Sequence, residues 1–305
     1  MRVFITGGMG FVGTNLTNEL SAKGHQVTVL DRSTGAGRVL PEGVSRVAGD
    51  STEPGPWQER LAEHDVVINL AGASIFQRWN DGVKRAIRDS RILATRNVVD
   101  AMEARRGQET HLFSASAVGY YGFHGDEALD EDGPPGTDFM GQIASEWETE
   151  AVRAADSGAR TVITRFGLVL GRRGGVMGQL APLFRRYMGA QLGNGQQWFS
   201  WVHEKDLARI FLTLLDRKDL DGPFNCTAPS PVRNSELTHA LADALGKRVI
   251  LPPAPAFVLR LALGEFAGVI LKGQRVIPRK LLDAGFGFAY PALPEALRDL
   301  VGSDG

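Results

Sequence analysis

Residues 6–13 read Thr6-Gly7-Gly8-Met9-Gly10-Phe11-Val12-Gly13, and this stretch decides the class of fold. It follows a short β-rich run, Arg2–Thr6, and opens a segment, Phe11–Lys23, whose apolar residues recur near helical spacing. Glycines at the junction of a strand and a helix permit a tight turn, close approach of a pyrophosphate and close helix–strand packing. The spacing Gly-x-x-Gly-x-x-Gly therefore predicts a dinucleotide-binding turn, with an ordinary strand–helix turn as the alternative.

Outward from this turn, strand-like and helix-like segments alternate through the first 165 residues. Further strands are predicted at Gln26–Leu30, Val44–Ala48, Asp65–Ala71, His111–Ala115 and Arg160–Arg165. Helical patterns lie between them at Asp81–Arg105 and Asp138–Asp156. Alternation at this spacing is typical of a parallel sheet with helices on both faces. The sequence therefore predicts an α/β fold, a Rossmann-type doubly wound parallel sheet.

The pattern changes beyond Arg165. We predict a glycine-rich loop at Gly171–Gly178, a helix at Leu180–Met188, strands at Trp198–Val202 and Pro223–Ala228, and then a mostly helical tail. We expect residues 1–165 and 195–230 to form a dinucleotide-binding domain. Residues 166–194 and 231–305 are expected to form a smaller, mostly helical, substrate-side domain. Because ligands of open parallel sheets bind at the carboxyl ends of the strands, the chemistry is expected in the loops there.

Composition narrows the classes of function. The chain has 305 residues, with 34 basic and 35 acidic side chains and a formal net charge of −1. Because it has no basic excess to neutralise phosphates, no nucleic-acid partner is expected. The six histidines lack the spacing of metal ligands, so no metal site is predicted. With one cysteine, Cys226, and no recognisable membrane span or signal peptide, we expect a cytoplasmic monomer or homodimer without a membrane partner.

Residues after the second and third predicted strands bear on which dinucleotide binds. Asp31 can accept hydrogen bonds from ribose hydroxyls, which favours NAD(H). Arg32 and Arg38 can pair with a 2′-phosphate, which favours NADP(H), and both are also compatible with solvated loop charges. Asp50 is placed to approach the adenine. We expect NADP(H) to be favoured, with NAD(H) as the alternative.

The fourth predicted strand ends in Asn69-Leu70-Ala71-Gly72, where small residues let the backbone approach a cofactor or simply pack closely. We therefore assign this stretch to the same predicted cofactor site as the glycine turn and the charged loop residues. The predicted cofactor-binding residues are Gly7, Gly10, Phe11, Val12, Gly13, Asp31, Arg32, Arg38, Asp50, Asn69, Ala71 and Gly72.

The glycine turn, the Asn69–Gly72 stretch and Ser114-Ala-Ser-Ala-Val-Gly-Tyr-Tyr-Gly122 together resemble an atypical, extended short-chain dehydrogenase/reductase. More narrowly, the chain resembles epimerase-family proteins that have a C-terminal domain of unknown function. The supporting stretches are Arg78-Trp79, Ser90-Arg91 with Thr95, Trp147-Glu148, Arg165–Gly171, Ser200–His203 with Asp206, Leu263–Glu265, Gly273–Pro278 and Ala284–Phe286. The resemblance covers essentially the whole chain and implies an NAD(P)-dependent epimerase, dehydratase or reductase.

The acid/base pair usual in short-chain dehydrogenases, Tyr-x-x-x-Lys, is missing from this sequence. Four residues after Tyr120, Tyr121, Tyr187 and Tyr290 stand His124, Gly125, Gln191 and Pro294. Aligning Glu148 with the glutamate that usually follows the motif puts Met140 and Ala144 where the tyrosine and the lysine would stand. Neither side chain can transfer a proton, so the family's usual chemistry is not implied.

The catalytic candidates lie in the loop after the fifth predicted strand. Ser116 matches the family's substrate-side serine, and Tyr120 and Tyr121 are the titratable groups nearest to it in sequence. We predict that any turnover depends on one of these phenols, with Ser116 orienting the substrate. Packing is the alternative role for the tyrosines, and Lys84 is a minor candidate for proton transfer.

Two functions remain open on the sequence alone. One is an NAD(P)-binding epimerase or oxidoreductase that acts on a nucleotide-sugar-like or small carbonyl substrate without the usual dyad. The other is a non-catalytic NADP(H)-binding sensor or regulatory protein, which the missing dyad favours. The retained cofactor turn and Ser116 favour the enzyme.

Overall fold

The structure, a computed structural model, describes residues 1–32, 40–172 and 174–302. Its strands are β1 (Arg2–Thr6), β2 (Gln26–Asp31), β3 (Ser45–Ala48), β4 (Val66–Asn69), β5 (His111–Ala117), β6 (Ala128–Leu129), β7 (Arg160–Phe166), β8 (Leu168–Gly171), β9 (Trp198–Phe199), β10 (Trp201–His203), β11 (Gly222–Cys226), β12 (Val232–Arg233) and β13 (Arg275–Val276). Its helices are α1 (Phe11–Ala22), α2 (Trp57–Leu61), α3 (Asp81–Met102), α4 (Phe139–Val152), α5 (Gly175–Arg185), α6 (Glu204–Asp216), α7 (Asn234–Ala244), α8 (Ala256–Leu263), α9 (Phe266–Leu271), α10 (Arg279–Asp283) and α11 (Leu293–Val301).

Seven strands form one sheet in the order β3-β2-β1-β4-β5-β7-β11, and all their pairings are parallel. The chain first moves outward from β1 to β3 and then returns to place β4 on the other side of β1. The strand order therefore reverses between β1 and β4, which opens a crevice at their carboxyl ends. This arrangement confirms the predicted Rossmann-type α/β fold.

Alternate residues of the central strands face two separate hydrophobic cores. In β1, Val3 and Ile5 pack in a core with residues of α1 and α6, whereas Phe4 packs in a core with residues of α2, α3 and α4. β4 is buried along its whole length because helices cover both faces of the sheet. The two cores hold the carboxyl ends of β1, β4 and β5 in fixed relative positions.

Three two-stranded sheets lie outside the main sheet and pair β8 with β10, β9 with β12 and β6 with β13. Residues of α5, α7 and α11 surround a further core that includes Phe184, Trp201, Leu241 and Leu297. β9 and β10 lie in the first predicted domain, whereas their partners lie in the second. The division into two domains stays a prediction. Among the described residues, no helix combines the length and the apolar character needed to cross a bilayer.

The predicted loop at Gly171–Gly178 is wrong in its second half, because α5 begins at Gly175. Glycine is a poor helix former, and α5 also contains Pro182. Val176, Met177 and Phe184 are nevertheless buried in the core of α5, α7 and α11, and this burial outweighs the low propensity. The earlier start brings the first turn of α5 to the cleft described below.

Candidate cofactor and substrate cleft

The turn between β1 and α1 is the most constrained part of the site. Gly7 has a φ of +68°, and a Cβ added to it would lie 2.7 Å from the backbone oxygen of Leu70. A Cβ on Gly13 would lie 2.2 Å from the backbone oxygen of Gly7. Both positions therefore require glycine. Gly10 is the N-cap of α1 and provides no capping side chain, so the N–H groups of the first helical turn remain available to an anion.

One cleft of about 570 Å³ extends from this turn past the end of β5 to the C-terminal helices. Ser116, near the end of β5, lines the same cleft. Predicted cofactor-binding residues that line it are Gly7, Gly10, Phe11, Val12, Gly13, Ala71 and Gly72. The glycine turn and the predicted substrate-side serine therefore border one continuous space, while the contacts that each residue makes with a ligand stay predictions.

The residues predicted to contact the ribose and the adenine lie outside the lining of this cleft. The carboxylate of Asp31 lies 3.7 Å from the guanidinium of Arg46. The Arg32 side chain is 80% exposed, and its guanidinium lies 4.0 Å from the carboxylate of Asp50. Arg38 lies outside the described residues. Because Arg32 is exposed and only loosely paired, it can turn toward a phosphate at little cost.

Asn69, another predicted cofactor residue, is fully buried beneath the cleft. Its Oδ1 accepts a hydrogen bond of 2.6 Å from the Thr6 hydroxyl, and its Nδ2 donates one of 2.8 Å to the Thr95 hydroxyl. The backbone N–H of Ala71 also approaches Oδ1, at 3.4 Å. The side chain thus joins β1, β4 and α3 and supports the cofactor loop from below.

Arg91 on α3 lines the cleft and was not among the predicted site residues. Its Nη1 donates to the carbonyl of Ile87, and its guanidinium lies 5.4 Å from the centre of the Trp147 ring. A Cβ on Gly72 would lie 3.2 Å from its Cζ, so the guanidinium is adjacent to the loop after β4. No described carboxylate pairs with it, and burial lowers the pKa of Arg91 to about 10. Such a cation is suited to bind an anion that enters the cleft.

Ser116 is held by a buried ion pair. Its hydroxyl donates a hydrogen bond of 2.6 Å to Oε1 of Glu148, which lies on α4. Arg165 on β7 donates to both oxygens of Glu148, at 2.9 and 2.8 Å. Burial disfavours the charged guanidinium, but the hydrogen bonds and charge of Glu148 outweigh it and raise the pKa of Arg165. The pair fixes the Ser116 hydroxyl hydrogen away from the cleft, so the serine oxygen is left to accept.

The two predicted phenols are not among the lining residues of the cleft. Tyr121 is fully buried, where its hydroxyl donates to Oδ1 of Asn225 at 2.7 Å and accepts from Nη1 of Arg165 at 2.9 Å. Burial raises the pKa of Tyr121 to about 12. The Tyr120 ring lies 3.6 Å from the Cζ of Arg165. Both tyrosines therefore pack around Arg165, and their predicted catalytic role stays untested.

Met140 and Ala144, which the family resemblance places at the dyad positions, both line the cleft from α4. Lys84 instead forms an ion pair of 2.8 Å with Glu265 and is not a lining residue. His203 is fully buried at the N-cap of α6, where its Nδ1 accepts from the backbone N–H of Lys205. Within the described ranges, no group of three or more His, Cys, Asp or Glu side chains is arranged to hold a metal.

Comparison with known proteins assigns the family. Residues 3–226 match the model of the NAD dependent epimerase/dehydratase family. The chain belongs to this family. Residues 254–300 match a second model, that of a domain of unknown function, DUF1731. The match confirms the resemblance drawn from the sequence.

Curated relatives in the family align over almost the whole chain. The epimerase family protein SDR39U1 homolog, chloroplastic, of Arabidopsis thaliana is 37% identical over 99% of this chain and 87% of its own length. The epimerase family protein YfhF of Bacillus subtilis is 37% identical over 99% of this chain and 98% of its own length.

Solved structures of epimerases share the fold. A crystal structure of human epimerase family protein SDR39U1 (isoform 2) with NADPH has a TM-score of 0.87 and 34% identity, and covers 99% of this chain and all of that chain. The nucleoside-diphosphate sugar epimerase from Corynebacterium glutamicum has a TM-score of 0.79 and 33% identity, over 99% of this chain and 58% of that chain. A Thermus thermophilus UDP-glucose 4-epimerase in complex with NAD, at 23% identity and a TM-score of 0.78, covers the full length of both chains and supports the fold alone.

The sequence did not predict the side chains that contact the predicted site residues. Arg91, Glu148 and Arg165 stand in stretches that support the family resemblance, but nothing local assigns them to the site. Glu148 and Arg165 are acidic and basic side chains on different elements, α4 and β7, and only the packed structure shows that they meet. The signal that could have indicated them is a charged residue type within a stretch that supports the family resemblance.

Proposed function

We propose that this chain is an NADP(H)-dependent oxidoreductase that acts on the hydroxyl or carbonyl group of a small molecule held against Ser116. The proposal rests on the single cleft that the glycine turn and Ser116 share. The human SDR39U1 structure with NADPH, at 34% identity, supports the choice of NADP(H), as does the exposed Arg32. NAD(H) is the alternative, because Asp31 is the residue type that accepts from ribose hydroxyls.

The residues at the β1–α1 turn fit a dinucleotide. Gly7 and Gly13 keep the turn tight, because a Cβ at either position would overlap the backbone. The first turn of α1 offers N–H groups to a pyrophosphate. Arg91 would add a positive charge beside Gly72. When bound, the nicotinamide supplies or accepts a hydride. The chain's own contribution is to hold the substrate oxygen and to exclude water from the site.

Ser116 orients the substrate in this proposal. Because its hydroxyl hydrogen is donated to Glu148, its oxygen can accept a hydrogen bond from a substrate hydroxyl. Arg165 fixes Glu148 from the other side, so the serine rotamer is determined before the substrate arrives. This preorganised acceptor favours the alcohol form of a substrate.

The proton donor and acceptor is the part of the reaction that departs from the family's usual scheme. Met140 and Ala144 line the cleft and cannot titrate, so we propose that the Tyr–Lys dyad is absent. Tyr120 and Tyr121 remain the predicted phenols, although the Tyr121 hydroxyl connects to Ser116 only through Arg165 and Glu148. If either phenol transfers the proton, its replacement by phenylalanine should lower turnover about 10²- to 10⁴-fold.

The proposal is tested by hydride transfer from stereospecifically deuterated NADPH to a panel of carbonyl compounds, and from alcohols deuterated at the carbinol carbon to NADP⁺. We expect one class of compound to acquire deuterium, and Ser116→Ala to lower kcat/KM about 10- to 100-fold through loss of an orienting hydrogen bond. Ser114→Ala is the matched control, because Ser114 lies on the same strand but does not line the cleft. Equal activity of the two variants would remove Ser116 from the site.

A second candidate, a non-catalytic NADP(H) sensor, is favoured by one observation. The two dyad positions are occupied by methionine and alanine that face the cleft, so the cofactor cradle exists without the usual acid and base. Tight NADPH binding without deuterium transfer to any compound of the panel would support this function over the oxidoreductase.

A further inference from the structure

We propose that the substrate is a predominantly apolar secondary alcohol or ketone, and not a nucleotide sugar. The inference rests on the proposed function and adds the chemical class of the substrate. It comes from the part of the cleft lined by residues late in the chain, which we call the C-terminal wall. This wall comprises the lining residues from Val176 through Gln274.

The C-terminal wall presents hydrocarbon over most of its extent. Most of its apolar side chains come from α5, α7 and α9. Among them are Val176, Leu180, Phe184, Leu241, Phe266 and Ile270. A ligand that fills this part of the cleft gains free energy from the apolar surface that it removes from water.

The polar side chains of the wall are largely occupied by the protein itself. The Ser200 hydroxyl donates to the carbonyl of Gln274 at 2.8 Å and accepts from the N–H of Val276 at 2.9 Å. The Asn234 Oδ1 accepts from the N–H of Leu192 at 2.9 Å. These hydrogen bonds hold loops together, so the same atoms are not free to recognise a sugar.

The side-chain N–H groups of two glutamines of the wall are used in the same way, while the buried Oε1 of Gln197 has no partner among the described residues. The Gln197 Nε2 donates to the carbonyls of Leu192 and Ile270, both at 3.1 Å. The Gln274 Nε2 donates to the carbonyl of Val118 at 2.9 Å. A nucleotide sugar needs several donors and acceptors for its base and hexose, and these amide donors are already used within the protein.

Charge leads to the same conclusion. Among the described lining residues of the C-terminal wall, the only cation is Lys272, which lies 5.2 Å from the centre of the Phe123 ring. Arg91 lies next to the cofactor loop at Gly72. The diphosphate of a nucleotide sugar would place two negative charges against hydrocarbon with one ammonium group nearby, which is costly. Ser116 instead provides one acceptor for the hydroxyl of an alcohol, and the corresponding ketone is held by the apolar surface.

The test is calorimetric titration of the NADPH-loaded full-length chain with 2-decanol, 2-decanone and UDP-glucose. NADPH binding is measured first, by fluorescence. Loss of that binding would reject the proposed function, whereas the ligand titrations address the substrate class alone. We expect the decanol and the decanone to bind at least about tenfold more tightly than UDP-glucose, with the negative heat-capacity change of apolar burial.

Leu180→Asp and Leu183→Asp form the matched pair of variants. Both residues lie on α5, but Leu180 lines the cleft and Leu183 is exposed outside it. We expect Leu180→Asp to weaken decanone binding at least about tenfold and Leu183→Asp to leave it unchanged. NADPH binding by Leu180→Asp, measured by fluorescence, shows whether this variant is folded, because the cofactor binds only the folded chain. Tighter binding of UDP-glucose than of decanone, unchanged decanone binding in a Leu180→Asp chain that still binds NADPH, or binding of neither class to the NADPH-loaded chain would overturn the inference.

Discussion

Gly10 and Gly13 belong to the same turn but restrict its sequence to different degrees. A Cβ on Gly13 would overlap the backbone oxygen of Gly7, so substitution there would disrupt the turn itself. A Cβ on Gly10 meets only that same oxygen, at 3.1 Å, and Gly10 lines the cleft. Gly10 is therefore the position where a side chain can block the cofactor while the fold survives.

We expect Gly10→Val to abolish NADPH binding because its side chain would occupy the space that the pyrophosphate needs. Cofactor titration by fluorescence and the far-UV circular dichroism spectrum are the measurements. Gly125→Val is the control, since a Cβ at Gly125 has open space around it and the residue does not line the cleft. A folded Gly10→Val chain with the affinity of the parent would show that the cofactor does not bind at this turn.

Arg91 gives a prediction in which the affinity for NADPH falls while the stability of the chain does not. Arg91→Met should weaken NADPH binding about 10- to 100-fold, the value of a charge-assisted hydrogen bond. The melting temperature of the cofactor-free chain should not fall, because no described carboxylate pairs with the guanidinium and its burial is unfavourable. Arg88→Met, on the exposed side of the same helix, should change neither quantity by much. Unaltered NADPH affinity in Arg91→Met would show that Arg91 is only a packing residue.

At the scale of elements, the sheet and α3 are joined at the cleft by one side chain. Asn69 at the end of β4 bonds to Thr6 at the end of β1 and to Thr95 on α3. All three side chains are buried, so each hydroxyl depends on the amide for its partner. The positions of Ala71 and Gly72, next along the chain, follow from where Asn69 is held.

We expect Asn69→Ala to lower the free energy of unfolding by about 3 kcal/mol, because two buried hydroxyls lose their partner and a small cavity forms. Urea denaturation measures the change. Asn194→Ala is the control, since Asn194 is exposed and bonds only to the backbone of Gln196; its effect should stay within about 0.5 kcal/mol. A cost below about 1 kcal/mol for Asn69→Ala would mean that the three elements do not depend on this contact.

Across the whole molecule, an ionic contact joins the amino ends of β1 and β4, which are distant in the chain. Asp65, just before β4, accepts hydrogen bonds from the backbone and side chain of Arg2, and Arg105 lies 3.5 Å away. The Arg2 hydrogen bonds lower the pKa of Asp65 from 3.8 to about 2. Since the folded chain holds this carboxylate in its charged form, protonation weakens the fold.

The stability from Asp65 should therefore be present above about pH 4 and be lost as the pH falls toward 2. Because its side chain is 34% exposed, we expect a loss of only about 1 kcal/mol. Urea denaturation along this pH range should show a shallower acid decline for Asp65→Asn than for the parent. Asp283→Asn, which removes an exposed carboxylate on α10, should follow the parent curve. Parallel curves for Asp65→Asn and the parent would rule out the contribution.

The sheet and the cofactor turn could be predicted from local sequence. The glycine spacing at residues 7–13 and the alternation of strands and helices act through neighbours along the chain, and the structure reproduces both. The start of α5 was missed because burial of Val176 and Phe184, which depends on distant elements, outweighs the local preference of glycine.

The surroundings of the predicted residues, in contrast, depend on packing between elements that are distant in the chain. Tyr120 and Tyr121 are close to Ser116 in sequence, yet Glu148 and Arg165 from other elements are the groups that connect them to it. The apolar C-terminal wall likewise combines side chains of α5, α7 and α9, none of which is adjacent in the chain to the glycine turn. The physical reason is that backbone conformation is set largely by neighbouring residues, whereas hydrogen-bond partners and the polarity of a cleft are set by packing between distant ones.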